Sequence, residues 1–136
     1  MQITIRQVDK EVVWELRHQV MWADKSFDYI KLVDDDLGIH YGLYKGSSLI
    51  SVISLFIIDD ECQFRKFATL HQEQGKGYGS KLLNHVMKEA QNNRSKKIWC
   101  NARKNKMDFY KKFGLQETND SFIKDGKHYV IMEKYL

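Results

Sequence analysis

Proline is missing from this sequence of 136 residues, which also has only two cysteines and no long apolar run. Without proline, turns must come from glycine, Asn and Asp. Cys62 and Cys100 lie far apart, and no second cysteine pair completes a zinc site, which argues against a disulfide scaffold. The longest apolar stretch, 49–58, contains two serines and is shorter than the ~20 residues that a membrane-spanning helix needs. The sequence therefore predicts neither a disulfide-rich protein nor a membrane protein.

The charged residues are mixed in sign along the chain. The sequence has 22 Lys and Arg and 18 Asp and Glu, which gives a net charge of +4. This mild excess permits an anionic ligand but does not indicate nucleic acid. With 43% hydrophobic and 29% charged residues, we expect a single globular domain over residues 1–136. Because Met1 runs straight into a strand-like segment, we expect no signal peptide. With only two isolated cysteines, we expect a cytoplasmic protein without a metal. Monomer and homodimer both stay open.

Apolar periodicity predicts a mixed α/β (α+β) fold around one central, mostly antiparallel sheet. Short links between three consecutive strands predict an antiparallel meander, and the next strand–helix–strand segment predicts a βαβ unit with a parallel pair. The predicted strands are 2–7, 38–45, 49–58, 62–70, 97–101, 115–123 and 128–135. The predicted helices are one that follows Asp9, one over 77–93, and one that Asn105 caps and Gly114 ends, while 24–37 is an acidic short helix or loop.

The most informative segment opens the helix of the βαβ unit. It contains Gly75, Gly77 and Gly79 within five residues, with Lys76 between the first two. Such glycines let successive N–H groups turn toward one point, and a helix N-terminus adds unsatisfied donors and partial positive charge. Together they predict a phosphate or pyrophosphate site. The spacing is not that of a Walker loop, and Ser80 replaces the last glycine of a dinucleotide fingerprint. A plain glycine-rich turn is the alternative.

Two motifs resemble those of the GNAT superfamily of acyl-CoA-dependent N-acyltransferases. Residues 74–79, QGKGYG, resemble its (Gln/Arg)-x-x-Gly-x-(Gly/Ala) motif, and 109–115, FYKKFGL, resemble its "FYxKxGF" segment. The order of elements also matches, so the resemblance covers nearly the whole chain. It implies an N-acetyltransferase that moves an acetyl group from the cosubstrate acetyl-CoA to a primary amine of a small molecule or protein. The alternative is a catalytically silent module that senses acyl-CoA.

The resemblance also implies which residues hold the cosubstrate. The segment Gln74, Gly75, Lys76, Gly77, Tyr78, Gly79 and Ser80 would bind the CoA pyrophosphate through its amides. The backbone of Phe67, Ala68 and Thr69 would pair with the pantetheine arm, which requires the fourth and fifth strands to splay apart. Some members carry an asparagine seven residues before the catalytic tyrosine. Arg103 stands at that spacing and Asn101 precedes it by two residues, so both are candidates, with a solvated surface arginine as the alternative.

For the chemistry, the resemblance implies that Tyr110 is the general acid that protonates the departing thiolate. The alternative is an aromatic ring packed in the core. The general base is open: Gln63 stands where some members carry a glutamate. His40, Glu61 and His71 remain candidates, of which we select His40 because its pKa range suits proton transfer. A structural strand histidine, or a chain of water molecules without a dedicated base, is the alternative.

The acidic segment 24–36 is expected to border the acceptor site. Its five aspartates would attract a cationic amine, unless they form an ordinary solvated loop. A small nucleic-acid-binding domain is a third function class, but the lysines are interspersed with acidic residues rather than clustered.

Overall fold

In the computed structural model, which describes residues 2–136, seven strands form one sheet in the order β1-β2-β3-β4-β5-β7-β6. Only the β4–β5 pair is parallel, and the other neighbours are antiparallel. The mixed, mostly antiparallel sheet predicted from the sequence is thus confirmed. The strands are β1 (Ile3–Val8), β2 (Ile39–Lys45), β3 (Ser48–Ile58), β4 (Glu61–Thr69), β5 (Lys97–Arg103), β6 (Gln116–Lys124) and β7 (Lys127–Tyr135).

Three α-helices flank the sheet: α1 (Lys10–Met21), α2 (Tyr78–Asn92) and α3 (Met107–Lys111). Helices α1 and α2 cover opposite faces, because they belong to two separate apolar clusters on either side of the central strands. The buried stripe of α2 is the one that the sequence predicts: Leu82, Leu83, Val86, Met87 and Ala90. Segment 24–37 contains two 3-10 turns, Phe27–Ile30 and Asp35–Leu37.

The last helix is shorter than its pattern suggests. Asn105 lies in a 3-10 turn, and Lys106 precedes α3 as its N-cap without a side-chain bond, so the predicted cap by Asn105 is wrong. Gly114, with φ of 89°, ends this region as predicted. The β6–β7 turn is also as predicted, because Asp125 and Gly126 both take the positive φ that a two-residue hairpin needs.

Strands β4 and β5 pair over only three positions, from Glu61–Lys97 to Gln63–Trp99. Beyond Gln63 the two strands separate, and the rest of β5 pairs with β7 alone. From Phe64 onward, β4 therefore has an open edge. The splay that the family resemblance requires is present in the structure.

A β-bulge interrupts β4 within this open stretch. The β3–β4 register shifts between Val52 and Ser54, and Lys66 takes a φ of 54°, which is rare for a residue with a Cβ. A bulge breaks the alternation of side chains, so that neighbouring residues lie on one face. Arg65 and Lys66 accordingly both contact the segment that runs from the end of α1 to β2.

Candidate active site

The glycine-rich segment presents unused N–H groups at the start of α2. Gly75 and Gly77 have φ of 77° and 85°, and a Cβ at either position would point into open space. None of the backbone N–H groups of residues 75–80 donates a hydrogen bond to another residue of the described chain. The first such bond comes from Lys81 to the Gly77 carbonyl. This is the arrangement that suits an anion at a helix N-terminus.

Close packing holds this segment against β4. A Cβ on Gly79 would lie 3.1 Å from the Phe67 ring, which itself packs against Phe109. The Gln74 side-chain amide donates to the Thr69 carbonyl at 3.0 Å. The glycine segment is therefore fixed at the end of the open strand edge rather than free to move away.

The backbone of β4 presents alternate residues to its open edge. The Ser51 hydroxyl donates to the Ala68 carbonyl, and the N–H of Leu70, the residue after β4, donates to the Ile50 carbonyl, so Ala68 and Leu70 both turn toward β3. Because polar groups alternate in direction along a strand, Phe67 and Thr69 turn the other way, toward the gap. Of the three residues predicted to pair with pantetheine, Phe67 and Thr69 thus face the gap, whereas Ala68 faces β3.

Tyr110 lies on α3, where its ring packs against Phe64 and Phe109 at centroid distances of 5.8 and 5.3 Å. Its hydroxyl forms no hydrogen bond with a described residue, yet it is not among the buried atoms that lack a partner. The oxygen therefore opens to solvent while the ring is packed. Burial, and secondarily Cys100, raises the pKa of Tyr110, so the hydroxyl keeps its proton at neutral pH.

His40 is buried on β2, and both ring nitrogens have partners within the protein. Nδ1 lies 2.7 Å from the Ser54 hydroxyl and Nε2 lies 2.9 Å from the Asp35 carbonyl. The carbonyl can only accept, so Nε2 carries the proton and Nδ1 accepts from Ser54. To take a proton from an amine, His40 would have to give up the Ser54 bond. This geometry favours the structural role that the sequence left open.

The remaining predicted residues are dispersed. Glu61 lies at the closed end of the splay, 3.5 Å from the Lys97 ammonium, and His71 is exposed in the 3-10 turn before the glycine segment. Asn101 and Arg103 are exposed on β5, whose alternate residues are buried on the α2 side. Both side chains therefore point to the face opposite α2, away from the glycine segment.

Four of the five aspartates of the acidic segment form ion pairs within the described chain, which differs from the expectation that the segment attracts a cation. Asp34 pairs with Arg65 and Asp36 with Lys10, while Asp28 pairs with Lys31. The Asp35 carboxylate accepts two bonds from the Arg17 guanidinium, and both side chains are almost fully buried. Three of these carboxylates pair with cations from outside the segment, which sequence reasoning missed because those partners are distant along the chain.

Sequence reasoning also missed Lys66. Its ammonium lies 4.3 Å from the centroid of the Trp22 ring. Burial, with Arg65 next in effect, lowers the pKa of Lys66 to about 8. The rare backbone conformation at the bulge marks this position, but no local sequence pattern announces a bulge.

A cavity of about 530 Å³ lies beside the far end of β5. Its walls are Lys104, Met107 and residues 117–119, 121–123 and 128–130. Residues 75–80 do not line it, so this cavity is separate from the unpartnered N–H groups at the start of α2. Within residues 2–136, no group of His, Cys, Asp or Glu is arranged to hold a metal ion, and no helix is long and apolar enough to cross a membrane.

Comparison with known proteins agrees with this geometry. The family model for the acetyltransferase (GNAT) domain matches residues 25–136. A curated relative, the uncharacterized N-acetyltransferase YitI of Bacillus subtilis, is 25% identical over 144 residues that cover 98% of this chain and 97% of YitI. A candidate N-acetyltransferase from Lactobacillus plantarum has a similar structure, with a TM-score of 0.89, 23% identity, and coverage of 100% of this chain and 99% of that one.

A GNAT family acetyltransferase from Elizabethkingia anophelis, solved with acetyl-CoA bound, has a TM-score of 0.78 and 19% identity, with 98% of each chain covered. At these identities the solved structures show the shared fold. The family model spans most of the sequence, including the glycine segment, the open edge of β4 and Tyr110. The chain therefore belongs to the GNAT family of acetyltransferases.

Proposed function

We propose that this protein transfers an acetyl group from acetyl-CoA to a primary amine by direct attack in a ternary complex. The observation that carries the proposal is the row of unpartnered N–H groups at residues 75–80, next to the open edge of β4. The first feature suits a pyrophosphate, and the second suits an extended amide-containing arm. The acetyl-CoA bound to the Elizabethkingia relative supports the same cosubstrate.

The same two features indicate a direction for the bound thioester. With the pyrophosphate at residues 75–80, the pantetheine arm runs back along β4 past Thr69 and Phe67. A strand rises about 3.3 Å per residue, so these two positions span roughly 7 Å along β4. The acetyl group then lies by the bulge at Lys66, where irregular backbone leaves N–H groups free to stabilise an oxyanion.

In the reaction, the neutral amine nitrogen attacks the thioester carbon to form a tetrahedral intermediate. The carbon–sulfur bond then breaks, and the thiolate takes a proton from the Tyr110 hydroxyl. The ammonium formed in the attack loses its proton to water, and solvent returns one to Tyr110. Because the His40 nitrogens are occupied, we assign the removal of the amine proton to water rather than to this histidine.

The test is a calorimetric titration of acetyl-CoA into the protein and two variants, Gly77→Asp and Gly77→Asn. Asp and Asn have nearly equal size and both tolerate positive φ, so the pair isolates the added charge. A carboxylate about 5 Å from a phosphate costs about 1–3 kcal/mol at effective dielectric constants between 80 and 20, which is roughly a 5- to 150-fold loss of affinity. Equal affinity in the two variants would reject this anion site.

A catalytically silent acyl-CoA sensor is the second candidate. The observation that favours it is that His40, Asp34 and Asp35 are already bonded to other groups within residues 2–136. CoA release in the presence of an amine panel separates the two functions. Tight acetyl-CoA binding without thiol release across the panel would support the sensor.

A further inference from the structure

Two cations lie side by side at the β4 bulge, and only one has a carboxylate partner. Arg65 donates to Asp34 at 3.0 and 3.2 Å. Lys66 forms no ion pair with any residue from 2 to 136, although it is partly buried. A half-buried ammonium without a counter-ion is unfavourable, so the position is suited to an anion from outside.

The charges around Lys66 strengthen this point. The charged groups that act on Lys66 are Arg65, Arg17 and Lys124, with Asp35 as the opposing group. Asp35 is already bonded to the guanidinium, the Trp14 indole and a backbone N–H, and its ion pair is with Arg17 rather than with Lys66. Lys124 likewise makes no ion pair in the described chain. The bulge therefore carries net positive charge.

Aromatic rings border the same spot. Trp22, beneath the Lys66 ammonium, meets Tyr29 edge-on at 5.5 Å, and Tyr29 is 49% exposed. The rings of Trp22 and Tyr29 give the cation aromatic surroundings against which a flat, partly apolar ligand can pack.

From this juxtaposition we infer that the amine acceptor carries a carboxylate, which Lys66 binds while the amine faces the acetyl group. The inference rests on the proposed function, since it assumes that the thioester ends at the bulge. The sequence led us to expect that acidic side chains bind the amine of the acceptor. The inference is instead that Lys66 binds a carboxylate at the other end of the acceptor. The acceptor class is thus an amino acid or a related amino-carboxylate with an apolar spacer.

The test compares 4-(aminomethyl)benzoate with 4-(aminomethyl)benzamide, two acceptors that share an amine and a ring and differ in one charge. We expect the wild-type protein to use the benzoate with a kcat/KM at least about tenfold higher, mainly through KM, because hydrogen bonds to charged groups are the strong ones. Lys66→Met should abolish the preference by weakening benzoate alone, and Lys66→Arg should retain part of it. Lys88→Met, on the exposed side of α2, removes an equal charge elsewhere and should retain it fully.

Equal use of both acceptors by the wild-type protein would overturn the inference. So would an equal loss with both in Lys66→Met, which would instead give the lysine a part in proton transfer. If neither amine is acetylated, the test is the affinity of the two compounds for CoA-saturated protein, measured by calorimetry. A benzoate that binds no tighter than the benzamide would also overturn the inference. Failure of acetyl-CoA to bind at all would be a failure of the proposed function, which the Gly77 variants detect separately.

Discussion

The buried Arg17–Asp35 pair fixes the segment between α1 and β2, and its removal should be costly. The guanidinium donates to both Asp35 oxygens at 2.8 and 3.0 Å and to the Ser54 hydroxyl at 2.8 Å. Arg17→Met leaves a buried carboxylate without its cation, a change that typically costs 3–5 kcal/mol. Because Trp14 and the Leu32 N–H still donate to Asp35, we expect the lower end, about 3 kcal/mol.

Substitution of Asp35, the partner of Arg17, should lower the free energy of unfolding further. Asp35→Leu leaves a guanidinium with no exposure and an Nε that already lacks a partner, so we expect the upper end, about 5 kcal/mol. The double variant removes both charges and should cost less than the two single losses together, because no charge remains uncompensated.

Urea unfolding at pH 7 measures the free energy of unfolding of all three variants. Arg65→Met is the matched control, because the Arg65–Asp34 pair is 30% and 42% exposed and should contribute at most about 1 kcal/mol.

The pH dependence of unfolding gives an independent check. Burial alone would raise the pKa of Asp35, but hydrogen bonds from Arg17, Trp14 and Leu32 outweigh it and hold the pKa below its ordinary value. A carboxyl group whose pKa is lower in the folded than in the unfolded protein stabilises the folded state. This contribution is complete above the unfolded pKa of about 3.9, and it is lost as the pH falls through the folded pKa. The Arg17→Met difference should therefore shrink below pH 4. Additive single losses in the double variant, or a loss under about 1 kcal/mol for Arg17→Met, would refute the reasoning.

Two further predictions concern the reaction and the thiols. Tyr110→Phe should lower kcat about 100-fold or more while acetyl-CoA affinity stays within twofold, as steady-state kinetics and calorimetry would show, and full activity would reassign the acid. Cys62 and Cys100 are buried, and burial raises the pKa of Cys100 to about 12. Both thiols should react with a disulfide reagent at pH 8 only as fast as the protein unfolds, and a thiol that titrates at once in native protein would contradict the buried placement.

The strands, α2 and the glycine segment were predictable because their determinants are local. Alternation identifies strands such as β1, a 3.6-residue period identifies α2, and glycines at 75 and 77 announce positive φ. The start of α3 was harder to predict, because a helix of five residues has too little periodicity to identify its N-cap.

The site was less predictable where partners are distant in sequence. Asp34, Asp35 and Asp36 look free in the sequence, but their cations come from α1 and β4. His40 looked available for catalysis until the fold placed Ser54 and the Asp35 carbonyl against its ring. Lys66 gives no signal in the sequence, because the β4 bulge depends on the β3 register.

The short β4–β5 pairing has a consequence for stability. One half-sheet contains β1 to β4 and the other contains β5 to β7, and only three residue pairs join them directly. A ligand arm seated in the gap would act as a cross-link between the halves, and at 100 times its Kd would add about 2.7 kcal/mol to the free energy of unfolding. Hydrogen exchange should then slow first along Phe67, Thr69 and the facing part of β5. The ligand would thus close the place where the two half-sheets share the fewest strand pairs.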